Sequence, residues 1–251
     1  MTGLRLLCAW TLATFLVPSP ALASTADWFI IALGAPDYAP IIEKGQSADD
    51  FMAFVPRRVL VAPSDIPVIA GKYSIPAGTL FVPVDGDGSG KVCEMARHLG
   101  SAFTCLIDRD HDGAYESYFG QQVFSEFYFG SHFKEEHFTP LVEPRALREL
   151  DPLTQIAPIK AKLTFAGGSP KGKMRFRVCL GEPSGTSAWA KGLYKNMCIA
   201  KEYSADGALP GQEIDVFGLH VKIEPAGEKS VKVSVDPAQR RTMATFAGRA
   251  F

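Results

Sequence analysis

Two segments near the middle of the chain alternate strictly enough to fix their backbone. Ile159, Ala161, Leu163 and Phe165 are interleaved with Lys160, Lys162 and Thr164; after Gly167-Gly168-Ser169-Pro170, Met174, Phe176 and Val178 are interleaved with Lys173, Arg175 and Arg177. A period of two sends alternate side chains to opposite faces, so the pair reads as an amphipathic antiparallel hairpin with one apolar and one basic face. Alternation returns in Leu219-His220-Val221-Lys222-Ile223 and in Val231-Lys232-Val233-Ser234-Val235, giving two more strands. Towards the N-terminus, short apolar runs such as Val59-Leu60-Val61-Ala62 are punctuated by Pro63, Pro67, Pro76 and Pro83, which suits brief strands and turns. Trp28 to Leu33 carries no decisive period and fits strand or helix. The stretch from Val142 to Pro152 holds one helical turn between prolines, and no longer helix is expected after Leu150. The chain is therefore expected to be all-β, mainly antiparallel and β-sandwich-like, as one elongated or two small domains with little helix.

The N-terminus has the layout of a secretory signal: Arg5, an apolar run from Leu6 to Val17, and Ala21-Leu22-Ala23 before Ser24. Residues 1–23 are expected to be removed, and the export implied is to the periplasm or the extracellular space. That apolar run is too short to span a bilayer, and no later segment approaches the ~20 residues a membrane helix needs. Cys8 lies inside it, so four cysteines remain beyond the cleavage site: Cys93, Cys105, Cys179 and Cys198. An even number in an exported chain favours disulfides, and proximity in sequence suggests Cys93 with Cys105 and Cys179 with Cys198. A Cys₄ zinc site would need close C-x₂₋₄-C pairs, which are absent.

Charge divides the chain near the prolines at 144 and 152. Residues 24–152 carry 10 Lys+Arg against 19 Asp+Glu, whereas residues 153–251 carry 15 against 8. An acidic, aromatic-rich region (24–152) is thus expected to meet a basic β region (153–251), with the boundary at the charge switch. Such asymmetry favours either mutual attraction of the halves or an anionic partner for the basic one.

The acidic region contains the most specific motif, Asp108-Arg109-Asp110-His111-Asp112-Gly113-Ala114-Tyr115-Glu116. Carboxylates at alternate positions, a turn glycine and a fourth acid give the ligand pattern of a Ca²⁺ loop, because anions packed so closely repel unless a cation lies among them. Counted from Asp108 as position 1, Asp110, Asp112, Ala114 (through its backbone carbonyl) and Glu116 fall at ligand positions, but position 12, where an EF-hand has a bidentate Glu, is Phe119. The flanks are β-branched and aromatic, so the loop is expected between strands. Over these nine residues it resembles the calcium loops on β-hairpins of integrin-like propeller repeats. That likeness implies Ca²⁺ as the ion and covers the loop only, since a single copy without repeats does not make a propeller. A second acidic turn, Asp85-Gly86-Asp87-Gly88-Ser89-Gly90, has only two carboxylates and reads as a flexible hairpin turn, with a second ion site as the alternative.

Outside the loop, the basic hairpin face is the foremost partner surface. Lys160, Lys162, Lys173, Arg175 and Arg177 share one side, and like charges across strands are unfavourable unless neutralised. An anionic glycan, lipopolysaccharide or the acidic region itself would serve; the plainer reading is a solvated sheet face, since Lys and Arg also protect exposed sheet surfaces. Gly167 to Lys173 matches G-x-x-x-x-G-K, but Met174 stands where a P-loop needs Ser or Thr and a strand follows where it needs a helix, so no nucleotide is expected. His132 and His137 flank Glu135 and Glu136, but a spacing of five does not put two histidines on one helical face as zinc proteases require. Nine of the chain's 27 aromatics fall between Tyr115 and Phe138, forming core or a stacking platform. Phe251 suggests the aromatic end of an outer-membrane barrel, but Arg249 would lie on its lipid face.

No residue pattern selects a catalytic group, so the expectation is a non-enzymatic, calcium-stabilised exported β protein with a binding or structural role in the cell envelope or outside the cell. A secreted hydrolase acting on a polymer such as a glycan and an outer-membrane-associated component are the alternatives.

Overall fold

A computed structural model describes residues 25–69, 73–84, 88, 90–95, 102–122, 138–168, 172–180, 198, 202–206 and 211–247. Within them the protein is built almost wholly from antiparallel strands. One six-stranded sheet runs in the order β15 (Tyr203–Asp206), β14 (Lys173–Leu180), β13 (Ile159–Gly168), β3 (Ser47–Pro56), β1 (Thr25–Ala32), β19 (Arg241–Ala247). A seven-stranded sheet runs β11 (Thr139–Ala146), β10 (Ala114–Gln122), β9 (Ala102–Ile107), β8 (Lys91–Glu94), β7 (Leu80–Pro83), β4 (Val59–Val61), β12 (Arg148–Leu150). A four-stranded sheet of β16 (Gln212–Val216), β17 (Leu219–Pro225), β18 (Ser230–Val235) and β2 (Ile41–Glu43) and a hairpin of β5 (Ile66–Ile69) and β6 (Tyr73–Ile75) complete it. No helix among the described residues is long and apolar enough to cross a membrane.

The expected hairpin is β13–β14, with Leu163 opposite Val178 and Phe165 opposite Phe176. Its inward residues are fully covered, and the Phe165 and Phe176 rings stack at 5.3 Å. Trp28 to Ala32 proves to be strand: Trp28, Ile30 and Ala32 are buried while Phe29 and Ile31 are only half so, the mark of an alternating sheet surface. The main core is formed where the six- and four-stranded sheets meet one face of the seven-stranded sheet, joining Ile30, Phe54 and Leu163 to Val221, Ile223 and Val233 and to Val82, Cys105 and Ile107. The opposite face of the seven-stranded sheet supplies Leu60, Phe81, Val92 and Leu106 to a second cluster covered by Ile66, Val68 and Ile75 of the β5–β6 hairpin. Strands buried on both faces lose their alternation, which is why Val59 to Ala62 reads as a continuous apolar run. At ~1.5–3 kcal/mol per fully buried large apolar side chain, these two clusters are the chief favourable term in folding.

Two sequence expectations are refined. The helical turn lies later than Val142 to Pro152: Val142 to Ala146 is strand, and the turn is α1 (Pro152–Gln155). Pro152 occupies the first helical position, while the Asp151 carboxylate accepts from Leu153 N at 3.1 Å and the side-chain Oε1 of Gln155 accepts from Asp151 N at 2.9 Å, so both ends of the chain reversal are tied. The charge switch at 152 does not separate sheets, because the six-stranded sheet takes β1 and β3 from before it and β13, β14, β15 and β19 from after it. The disulfides follow sequence proximity. Cys93 joins Cys105 across β8 and β9, and Cys179 joins Cys198, with Cα separations of 4.0 and 3.8 Å. Such bonds belong to an oxidising, exported environment, and each contributes roughly 2–4 kcal/mol by restricting the unfolded chain.

Candidate metal centre

The loop joining β9 to β10 is shaped by its own carboxylates. Leu106 and Ile107 anchor the end of β9 in the two cores, which leaves Asp108 at the strand end only 8% exposed. Its two oxygens accept from Asp112 N at 3.2 Å and Gly113 N at 3.0 Å, closing the loop on itself. Asp110 accepts a longer bond from Asp112 N at 3.3 Å, and Asp112 accepts from Ala114 N at 2.7 Å where β10 begins. Each bond has an Asp side chain mimicking a backbone turn, the local preference that keeps this residue out of ladders and in loops. Two residues take left-handed conformations, His111 at φ 59° and Gly113 at φ 91°; the glycine carries the sharper reversal without a Cβ penalty.

Glu116 reaches the loop from within β10. The pairing of β10 with β11 shifts register between Tyr115 and Ser117, and there Glu116 alone stands against four residues of β11, Leu141 to Pro144, so the irregularity lies on β11 while β10 keeps its alternation. Its Oε2 accepts from Arg109 N at 3.0 Å. One carboxylate oxygen from each of Asp108, Asp110, Asp112 and Glu116 lies within 4.8 Å of all the others. A group so arranged could hold a metal ion, because a cation among them would offset the mutual repulsion of four carboxylates at this range. Phe119, at the position an EF-hand gives to glutamate, instead packs on the main core with its ring 6.0 Å from Phe138.

The neighbouring hairpin closes one side of the loop. Gly90 O accepts from Asp108 N at 3.2 Å, and a Cβ at Gly90, whose φ is 67°, would collide with Asp108 O. This support was not legible in sequence, where Gly90 is one glycine of an acidic turn; Asp85 and Asp87 of that turn lie outside the described residues. So do His132, Glu135, Glu136 and His137. Of the aromatic stretch, Tyr115, Tyr118, Phe119 and Phe138 are described, and all four pack on a core.

The five basic residues do share the outer face of β13 and β14. Lys160 meets Asp50 at 2.6 Å, Arg177 meets Glu202 at 2.5 Å, and Arg175 approaches the same Glu202 at 4.0 Å. Lys162 is half-buried and Lys173 exposed. Gly168 and Lys173 belong to facing strands, as the departure from a P-loop required. Comparison with protein-family models, curated proteins and solved structures finds no match to this chain.

Proposed function

We propose that this chain is an exported, calcium-stabilised β protein with a binding or structural role in the cell envelope or outside the cell. The observation that carries the reading is the convergence of Asp108, Asp110, Asp112 and Glu116 within 4.8 Å on a strand-to-strand loop. The donor set favours Ca²⁺: every side-chain oxygen is hard, no His or Cys enters the group, and the Ala114 carbonyl stands at the position where calcium loops use backbone. Mg²⁺ would demand a tighter octahedron and retain its waters, and Zn²⁺ prefers nitrogen and sulfur. Two disulfides support a destination outside the reducing cytosol, where calcium at millimolar concentration fills even weak sites.

The ion would fix the β9–β10 connection and, through the Asp108–Gly90 hydrogen bond, tie it to the start of β8 within the seven-stranded sheet. Thermal melts test this. A site with Kd on the order of 10⁻⁴–10⁻³ M is stabilised by ~1.4–2.7 kcal/mol at ~10 mM Ca²⁺. The melting temperature should rise with Ca²⁺, rise less with Mg²⁺ and return on chelation. A melting temperature indifferent to all three would remove the reading.

A further inference from the structure

The outer face of β13 and β14 holds a second feature, which deepens the binding role proposed above and rests on it. Lys173, Arg175 and Arg177 follow one another at alternate positions of β14, a row of cations stepped by roughly 6.6 Å. Arg175 and Arg177 are more than half exposed, and both turn to one carboxylate, Glu202 beside β15. Glu202 donates nothing and satisfies one guanidinium well: Arg177 binds Oε1 through Nε at 2.8 Å and through a terminal nitrogen at 2.5 Å, while Arg175 reaches only 4.0 Å. The long approach leaves the Arg175 donors without a close acceptor in this pair. Asp50 holds Lys160 and Glu202 holds Arg177, so among the described residues the face is partly, not fully, compensated.

Two arginines converging on a single carboxylate are the arrangement that recognises an external anion, since the planar fork matches carboxylate, sulfate and phosphate alike. We infer that β14 presents an anion-binding row for an acidic polysaccharide, with Glu202 occupying the Arg175–Arg177 fork as an internal competitor that the glycan's charged groups displace. An extended polymer with repeated anionic groups suits a row of cations along an exposed strand better than a single small anion does, because it can meet several of them at once. Displacement of Glu202 exchanges one carboxylate for another, so affinity comes from Arg175, Lys162 and Lys173 and is moderate and salt-sensitive.

Heparin, a sulfated polysaccharide, is the probe, titrated calorimetrically against the full mature chain at about 50 and about 300 mM NaCl, in Ca²⁺ and in EDTA. The wild type should bind and weaken about tenfold or more at the higher salt; Arg175→Ser with Arg177→Ser should weaken binding about tenfold or more. Glu202→Gln should tighten it several-fold, the opposite of what loss of a purely structural ion pair would do. Lys222→Ser with Lys229→Ser, on β17 and in the turn that follows it, should leave it unchanged. Absence of heparin binding at low salt, a Glu202→Gln variant no tighter than wild type, or equal loss in both double variants would overturn the inference. So would tighter binding to phosphatidylglycerol–phosphatidylcholine vesicles than to heparin, which would make the partner a lipid surface. Melting curves of every variant keep misfolding apart from lost recognition. Binding that persists in EDTA in a chain whose stability ignores calcium would retain the anion row and remove the ion; a calcium-stabilised chain that ignores heparin would do the reverse.

Discussion

Neutralising one acid of the loop should have opposite effects with and without calcium, and Asp110→Asn is the informative change. Asp110 is exposed and its one described bond is the 3.3 Å contact from Asp112 N, which the carbonyl oxygen of asparagine can keep. Its charge faces three others within 4.8 Å. At that separation each repulsion is ~0.9 kcal/mol in bulk water and about half as much at physiological salt, so the substitution relieves roughly 1–2 kcal/mol in the ion-free protein. With calcium present the same change removes a ligand and a unit of negative charge, and most of the ~1.4–2.7 kcal/mol of linkage at ~10 mM ion is lost. For a domain of this size 1 kcal/mol moves the melting temperature by ~2–4 °C. Differential scanning fluorimetry in EDTA and in calcium should therefore show the variant melting a few degrees above wild type without the ion and below it with the ion. The curves must cross. Asp108→Asn cannot show this cleanly, since its two oxygens accept from both Asp112 N and Gly113 N and an amide nitrogen cannot replace either acceptor. A variant of Asp110 that is destabilised equally in both buffers would refute the reasoning, because the loop's carboxylates would then be structural hydrogen-bond acceptors and nothing more.

Two further expectations concern sites away from the loop. Burial pushes the Glu94 carboxyl above its ordinary pKa, against the opposing effect of its hydrogen bonds from Thr104. A raised carboxyl pKa means the folded chain holds that proton more tightly than the unfolded one; the group's contribution is complete below the unfolded value of 4.5 and is lost as pH rises through the folded one. Glu94→Gln should accordingly stabilise at pH 7 and give no gain below pH ~4.5, read by urea melts at both pH values. Arg240 donates to four successive carbonyls, those of Ala32, Leu33, Gly34 and Ala35, at 2.6 to 3.2 Å, and so pins the chain as it leaves β1. Arg240→Ala should lower unfolding free energy by about 2–4 kcal/mol, and Arg240→Lys should recover little of it, because an ammonium is a point charge without the guanidinium's planar fork.

What the sequence revealed and what it hid follow from how local each determinant is. Alternation in Ile159 to Phe165 and Met174 to Val178 is a local property of strands with one wet face, so β13 and β14 could be read directly. The loop from Asp108 to Glu116 was equally legible, because its ligands and turn glycine lie within one short stretch. The irregular pairing opposite Glu116 was not, since it arises on β11, more than twenty positions later in the chain, where Arg145 faces Tyr115 and Pro140 faces Ser117. Charge misled on organisation for the same reason: Lys160 finds Asp50 across 110 positions, and opposite charges in the two regions mark strands that become neighbours in one sheet.

Phe217 shows how far a tertiary contact can override local preference. It takes φ 55° in the two-residue turn between β16 and β17, a conformation that favours glycine or asparagine, while Gly218 beside it takes φ 83° and donates to Asp215 Oδ1 at 2.6 Å. From residue preference alone a bulky aromatic would be rejected there. Its ring, however, stands 5.7 Å from Phe54, 5.7 Å from Tyr203 and 5.2 Å from Phe246, so the turn of the four-stranded sheet is driven into an aromatic cluster of the six-stranded one. Edge-on aromatic pairs add ~0.5–1.5 kcal/mol each beyond the area they bury, enough in sum to offset the ~1–3 kcal/mol of a strained backbone. The same burial, with Asp215 nearby, raises the pKa of the Tyr203 phenol and keeps it neutral inside the cluster. The turn therefore joins two sheets rather than merely reversing a strand.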